Sequence, residues 1–157
     1  MKEIKGDLWD YYYNVKHRDT YVCITTNGFI KKDGSAVMGK GCAAEAAKRF
    51  PDLPYVLGKH IRENGNVVGI LSTDCTEDCI LTFPVKHRWW EDADLILIAK
   101  SAKALKQEAL RNKNNTYILP RPGCGNGRLT WKVVKPVLTK ILPDNVAVIT
   151  FPEQDKA

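Results

Sequence analysis

Two glycine-rich segments hold the residues best suited to chemistry: Val37-Met38-Gly39-Lys40-Gly41-Cys42-Ala43 and Pro122-Gly123-Cys124-Gly125-Asn126-Gly127-Arg128. Glycine lacks a Cβ, so its backbone turns tightly and approaches a ligand closely. Where such a segment enters a helix, unpaired N–H donors and the positive end of the helix dipole add to it. The combination suits a phosphate, and each charge-assisted hydrogen bond there is worth roughly 1.5–3 kcal/mol. Neither segment is a P-loop, because Lys40 is not followed by Ser or Thr and the G-x-x-x-x-G-K spacing is missing. Neither carries G-x-G-x-x-G. A third segment, Lys86-His87-Arg88-Trp89-Trp90, joins positive charge to aromatic rings. Such a pairing can hold single-stranded nucleic acid; taken alone, it reads more simply as a solvated basic turn with two partly buried tryptophans.

The elements that must position these segments follow from local pattern. Tyr21–Thr25 is short, apolar and β-rich, which predicts a buried strand. A loop from Asn27 to Gly41 leads into a helix over Cys42–Phe50, stopped by Pro51. Pro54–Asn64 predicts a second short helix, and Asn66–Thr73 and Cys79–Val85 predict strands. Asp92–Arg111 is helical, with Leu95, Ile98, Ala102, Leu105 and Ala109 on one face. Asp92 and Asp94 sit near its start, where negative charge complements the dipole. Thr116–Leu119 is a strand. Thr130–Leu142 is a helix with Thr130 as N-cap and Pro136 as a possible break. Asn145–Phe151 closes the chain as a strand. Strands alternating with helices predict an α/β domain with helices on both faces of a sheet. Such sheets bind ligands at the carboxyl ends of their strands, where both glycine segments fall.

The chain has 157 residues and a net charge of +6. That length fits a single domain, residues 1–157, with a proper core. No apolar run approaches the roughly 18 residues of a membrane span, and the charged N-terminus has no signal-peptide h-region. A soluble cytoplasmic protein, monomeric by default and needing no membrane, is the expectation. The five cysteines are scattered and odd in number, which argues against a disulfide framework. Cys75 and Cys79 are the only close pair, and no second pair completes a zinc site. No metal and no cofactor are expected.

Read in order, Gly6-Asp7-Leu8, Met38-Gly39-Lys40-Gly41, Phe83-Pro84-Val85-Lys86-His87 and Pro122-Gly123-Cys124-Gly125-Asn126-Gly127 through Trp131 resemble the macro-domain family. They span nearly the whole chain. The likeness is strongest to the branch of terminal ADP-ribose glycohydrolases and of antitoxins that remove ADP-ribose from DNA, a branch with many small bacterial and phage members. The resemblance implies a mixed central β-sheet sandwiched between helices, and ADP-ribose or an ADP-ribosylated macromolecule as partner.

It also implies roles. Asp7 would accept the adenine amino group, with Leu8 packed nearby and Phe151 stacked close to the ring. Asn27 would lie by the distal ribose. Met38, Gly39, Lys40, Gly41 and Cys42 would meet the diphosphate and that ribose, and Pro122, Gly123, Cys124, Gly125, Asn126 and Gly127 would wrap the diphosphate from the other side. Lys86 would be catalytic, acting at the ribose carbon that bears the modification. A lysine must be neutral to attack, so its pKa must be depressed, and a Schiff base with the opened ribose then becomes accessible. One departure stands out: enzymes of this branch that act on protein-linked ADP-ribose carry an Asp where this chain has Gly127. The departure weakens hydrolysis of glutamate-linked ADP-ribose and leaves nucleic-acid-linked substrates open. The leading expectation is hydrolysis of ADP-ribosyl linkages. Alternatives are a reader without turnover, a phosphatase acting on ADP-ribose 1''-phosphate, and a nucleic-acid binder with no nucleotide pocket. Asp33, Glu45, His17 and His60 are expected to be structural, Cys42 and Cys124 to be small packing residues, and Trp9 and Tyr11 to Tyr13 to pack.

Overall fold

The computed structural model describes residues 1–14, 19–73 and 79–152; His17 and Cys75 lie outside them. Eleven elements follow in chain order: β1 (Lys2–Lys5), α1 (Leu8–Asn14), β2 (Thr20–Asn27), α2 (Cys42–Arg49), α3 (Leu53–Asn64), β3 (Gly69–Leu71), β4 (Ile80–Lys86), α4 (Leu95–Arg111), β5 (Thr116–Pro120), α5 (Trp131–Ile141) and β6 (Val146–Thr150). They form one six-stranded sheet in the order β1-β6-β5-β2-β4-β3. Every pairing is parallel except β3 with β4. The sheet is therefore mixed and helix-covered.

Two cores line its faces. On one, α4 and α5 bury Ile98, Leu105, Val134 and Leu138 against Phe83, Leu119 and Val148. On the other, α1, α2 and α3 bury Leu8, Trp9, Ala46, Leu53 and Leu57 against Ile24, Ile118 and Ile149. Strands β4 and β6 are buried almost end to end, as strands covered on both faces must be. No helix among the described residues is long and apolar enough to cross a membrane.

Several features differ from the sequence reading. First, β1 and α1 had no assigned element; α1 begins where Asp7 Oδ1 accepts the Trp9 N–H at 2.7 Å, a local N-cap. Second, the long helix starts at Leu95 rather than Asp92, because the Asp94 side chain accepts the Ile96 N–H and closes the first turn. Asp92 precedes the helix and faces Arg128 instead. Third, Pro136 breaks nothing: α5 runs through it. Thr130 occupies the N-cap position, but its hydroxyl makes no capping bond. The strand expected over Asn66–Thr73 shrinks to Gly69–Leu71.

Candidate functional site

Strands β2, β4, β5 and β6 run parallel, so their carboxyl ends share one edge of the sheet. A cleft of roughly 860 Å³ opens there. Its walls are the two glycine loops, and its lining includes Asn27 at the end of β2, Met38, Gly39, Lys40, Gly41 and Cys42 from the first loop, and Gly123, Gly125, Asn126 and Gly127 from the second. Lys86 and Phe151 complete the predicted set. The loops face each other closely: a Cβ on Gly41 would stand 3.5 Å from the Asn126 side-chain nitrogen. Four residues predicted for the site fall outside the lining. Asp7 is exposed and caps α1, Leu8 is 0 % exposed within the core, and Pro122 and Cys124 form the back of the second loop, with the Cys124 thiol donating to the Pro122 carbonyl at 3.5 Å.

Lys86 is delivered by an irregularity in β4. Thr26 pairs with Pro84, and the next residue, Asn27, pairs with Lys86. Val85 is thus an extra residue, a bulge, and bulges re-aim side chains beside functional sites. Proline tolerates this position because it lies beyond the last β3–β4 pair, Gly69↔Thr82. The Lys86 ammonium donates to the Asn126 carbonyl at 3.1 Å and toward the Trp89 carbonyl at 3.4 Å, so it sits where the second glycine loop meets the basic turn. Partial burial holds its pKa below the ordinary lysine value; the Arg128 guanidinium pushes the same way and Asp92 opposes.

Other side chains set the walls. Asn27 donates to the Val37 carbonyl at 2.9 Å and accepts the Phe29 N–H at 3.0 Å; its amide ties down the first loop. The Cys42 sulfur rests against the Thr25 N–H and hydroxyl at 3.3 and 3.2 Å. Burial raises its pKa, and burial raises that of Cys124 to about 11. Neither thiol is poised as a thiolate. Trp89 and Trp90 are 50 % and 53 % exposed at the cleft, half-buried as the basic-turn reading expects.

Sequence reasoning missed several lining residues. Arg121 joins the ends of β5 and β6, its Nε donating to Thr150 Oγ1 at 3.0 Å while its guanidinium lies 5.0 Å from the Trp131 ring. Glu45 reaches the cleft and accepts the Trp9 indole N–H at 2.8 Å. Arg128 takes φ of 65° and pairs with Asp92 at 3.5 Å. Glu91 lines the cleft from the turn after Lys86. Apart from Arg128, which ends the second glycine segment, these residues belong to no local motif. No cluster of three or more metal-ligating side chains occurs among the described residues.

No family model matches the chain. The macrodomain of Mycobacterium tuberculosis DarG superposes with a TM-score of 0.72 at 26 % identity, covering 96 % of each chain. Thermosipho africanus DarTG, solved in complex with ADP-ribose, superposes with a TM-score of 0.69 at 20 % identity over 94 % of this chain and 40 % of that one. In sequence, the chain is 24 % identical over 129 residues to a DNA ADP-ribosyl transferase–DNA ADP-ribosyl glycohydrolase fusion protein of Thermosipho africanus (strain H17ap60334). The match takes in 68 % of this chain and 32 % of that protein's length. On these likenesses the chain has the macrodomain fold.

Proposed function

We propose that the cleft binds ADP-ribose and that the chain hydrolyses ADP-ribosyl linkages at the distal ribose, with Lys86 as the working side chain. One observation carries this reading. A bulge aims a lysine of depressed pKa to where the second glycine loop meets the basic turn, in a cleft where a diphosphate held by backbone N–H groups would present its outer ribose. The neutral amine attacks the anomeric carbon and the acceptor leaves. One amine proton departs with the acceptor, the other goes to the ring oxygen as the ribose opens, and a Schiff base results. Water then re-forms the amine and the ribose hydroxyl.

Nucleic acid is the acceptor favoured by the rim. Trp89 and Trp90 stand edge to face at 5.4 Å, Phe29 meets Trp90 at 5.4 Å, and the Arg88 guanidinium lies 5.8 Å from the Trp90 ring. Exposed rings with an adjacent cation form a stacking platform for bases. The fusion protein's DNA ADP-ribosyl glycohydrolase name supports the same choice. A reader without turnover is the second reading, favoured by the missing side chain at Gly127.

Titration of ADP-ribose into wild type and Lys86→Ala, followed by release assays on ADP-ribosylated DNA and protein, separates these readings. Both proteins should bind within several-fold of each other, and the variant should lose release by about 10²–10⁴-fold. Binding with no release by wild type on any substrate would make the domain a reader. Failure of wild type to bind would remove the ligand assignment. Equal affinity for free ADP-ribose and ADP-ribosylated DNA would remove the nucleic-acid acceptor.

A further inference from the structure

Three acidic side chains around the cleft have assigned partners. Glu45 accepts the Trp9 indole, Asp92 faces Arg128, and Asp94 accepts from both His87 and the Ile96 N–H. Glu91 differs. It lines the cleft, yet its Oε1 is buried and meets no hydrogen-bond donor among the described residues. A buried carboxylate oxygen without a donor is costly and calls for an explanation at a functional site.

Its neighbourhood supplies one. The Glu91 N–H bonds to the Arg88 carbonyl at 3.1 Å, and two residues later the Ala93 N–H bonds to the Gly127 carbonyl at 2.9 Å. The Glu91 turn is thus pinned to the Gly127 position of the second loop, and the same turn offers the Trp89 carbonyl to Lys86. Gly127 itself has no room for a side chain: a Cβ there would lie 2.6 Å from the Gly123 carbonyl oxygen and 2.7 Å from the Ala93 Cβ. An acid cannot stand on the second loop at this point, but the turn pinned behind it carries one that lines the cleft.

We infer that Glu91 supplies the carboxylate that meets the distal ribose beside Lys86, accepting a hydroxyl or reacting proton there. The inference rests on the ADP-ribose reading of the cleft. The terminal torsion of glutamate is broad and two-fold, so rotation exchanges the two carboxylate oxygens and presents either to a ligand. During attack Glu91 takes a proton from the Lys86 nitrogen and passes it to the ring oxygen. In the second step it takes one from the incoming water and returns it to the lysine, so it keeps no net proton.

The test uses Glu91→Gln, which preserves shape, and Glu91→Asp, which preserves charge, with melting temperature as a check on folding. Calorimetry compares ADP-ribose with ADP, which lacks the distal ribose. Release is followed on ADP-ribosylated DNA across pH. Glu91→Gln should lose about tenfold in ADP-ribose affinity and nothing for ADP. Release should fall by about 10²-fold or more, with Glu91→Asp recovering part of it. If Glu91→Gln keeps wild-type selectivity for ADP-ribose over ADP, the inference is overturned whatever the activity. Where wild type turns over, release by Glu91→Gln within threefold of it would overturn the inference equally. If wild type releases nothing but Glu91→Gln loses the selectivity, the carboxylate's position stands and the hydrolase reading falls. If wild type binds neither nucleotide, both fall together.

Discussion

At Gly125 a Cβ would meet no atom within 4 Å beyond its chain neighbours, and its φ is not in the left-handed region. Two residues later, a Cβ on Gly127 would run into the Gly123 backbone and Ala93. The two glycines share one loop and one residue type, but nothing inside the protein explains the first, whereas close packing explains the second. Gly125 lines the cleft, and its open backbone suits the close approach of a phosphate that the proposed function calls for. Gly127 belongs to the packing between the second loop and the segment leading into α4. A glycine motif therefore mixes residues that face a ligand with residues that let the loop sit down.

Substitutions test that contrast. Gly127→Ala should destabilise the fold by about 1–3 kcal/mol, as overpacking does, and thermal melting should show a drop of roughly 5 °C. An unchanged melting temperature would end the packing explanation. Gly125→Ala should do the reverse. Its melting temperature should stay level or rise slightly, while ADP-ribose affinity falls on the order of tenfold, the worth of one charge-assisted hydrogen bond. Wild-type affinity in calorimetry would show that the open side of this loop is not used.

Asp94→Ala loosens the crowded side indirectly. It removes the cap of α4 and the 2.8 Å partner of His87, and chemical denaturation should register a loss of about 1 kcal/mol. The Asp94 pKa is held below its ordinary value of 3.8, chiefly by the His87 hydrogen bond. Its stabilising share is therefore present above that value and disappears as pH falls through the depressed one. Difference melting curves between wild type and Asp94→Ala should converge only in that acid range. The last test concerns Lys86. Because its pKa is lowered, release should climb with pH and level off below the ordinary lysine value of about 10.4; a rate that declines steadily from neutral pH upward would contradict a neutral lysine.

Much of this was legible beforehand. The helix stripe of Leu95, Ile98, Ala102, Leu105 and Ala109, the buried runs of β2 and β4, and both glycine loops announced an α/β sheet with a cleft at its carboxyl edge, and the motif order pointed to the macrodomain fold. The N-terminal strand did not show itself. Four residues with only Ile4 half-buried give too little alternation to distinguish an edge strand from a charged tail. Residues placed by distant partners were equally silent: Arg121 by Thr150, Glu45 by Trp9, and Glu91 by the link from Ala93 to Gly127. The bulge at Val85 also eluded local pattern, since it exists only in register with β2.

The strand order has a kinetic consequence. β1 lies beside β6, and the Met1 ammonium meets the Leu142 carbonyl across a sequence separation of 141. Contacts so far apart impose loop-closure entropy before any reward, and parallel pairings of this kind fold slowly. The cleft draws its walls from β2, β4, β5 and β6, so it cannot exist until the last of these strands docks. Recovery of ligand binding during refolding should accordingly trail the recovery of helical signal, and a nucleotide in the refolding buffer would act on the final docking step rather than on the early collapse.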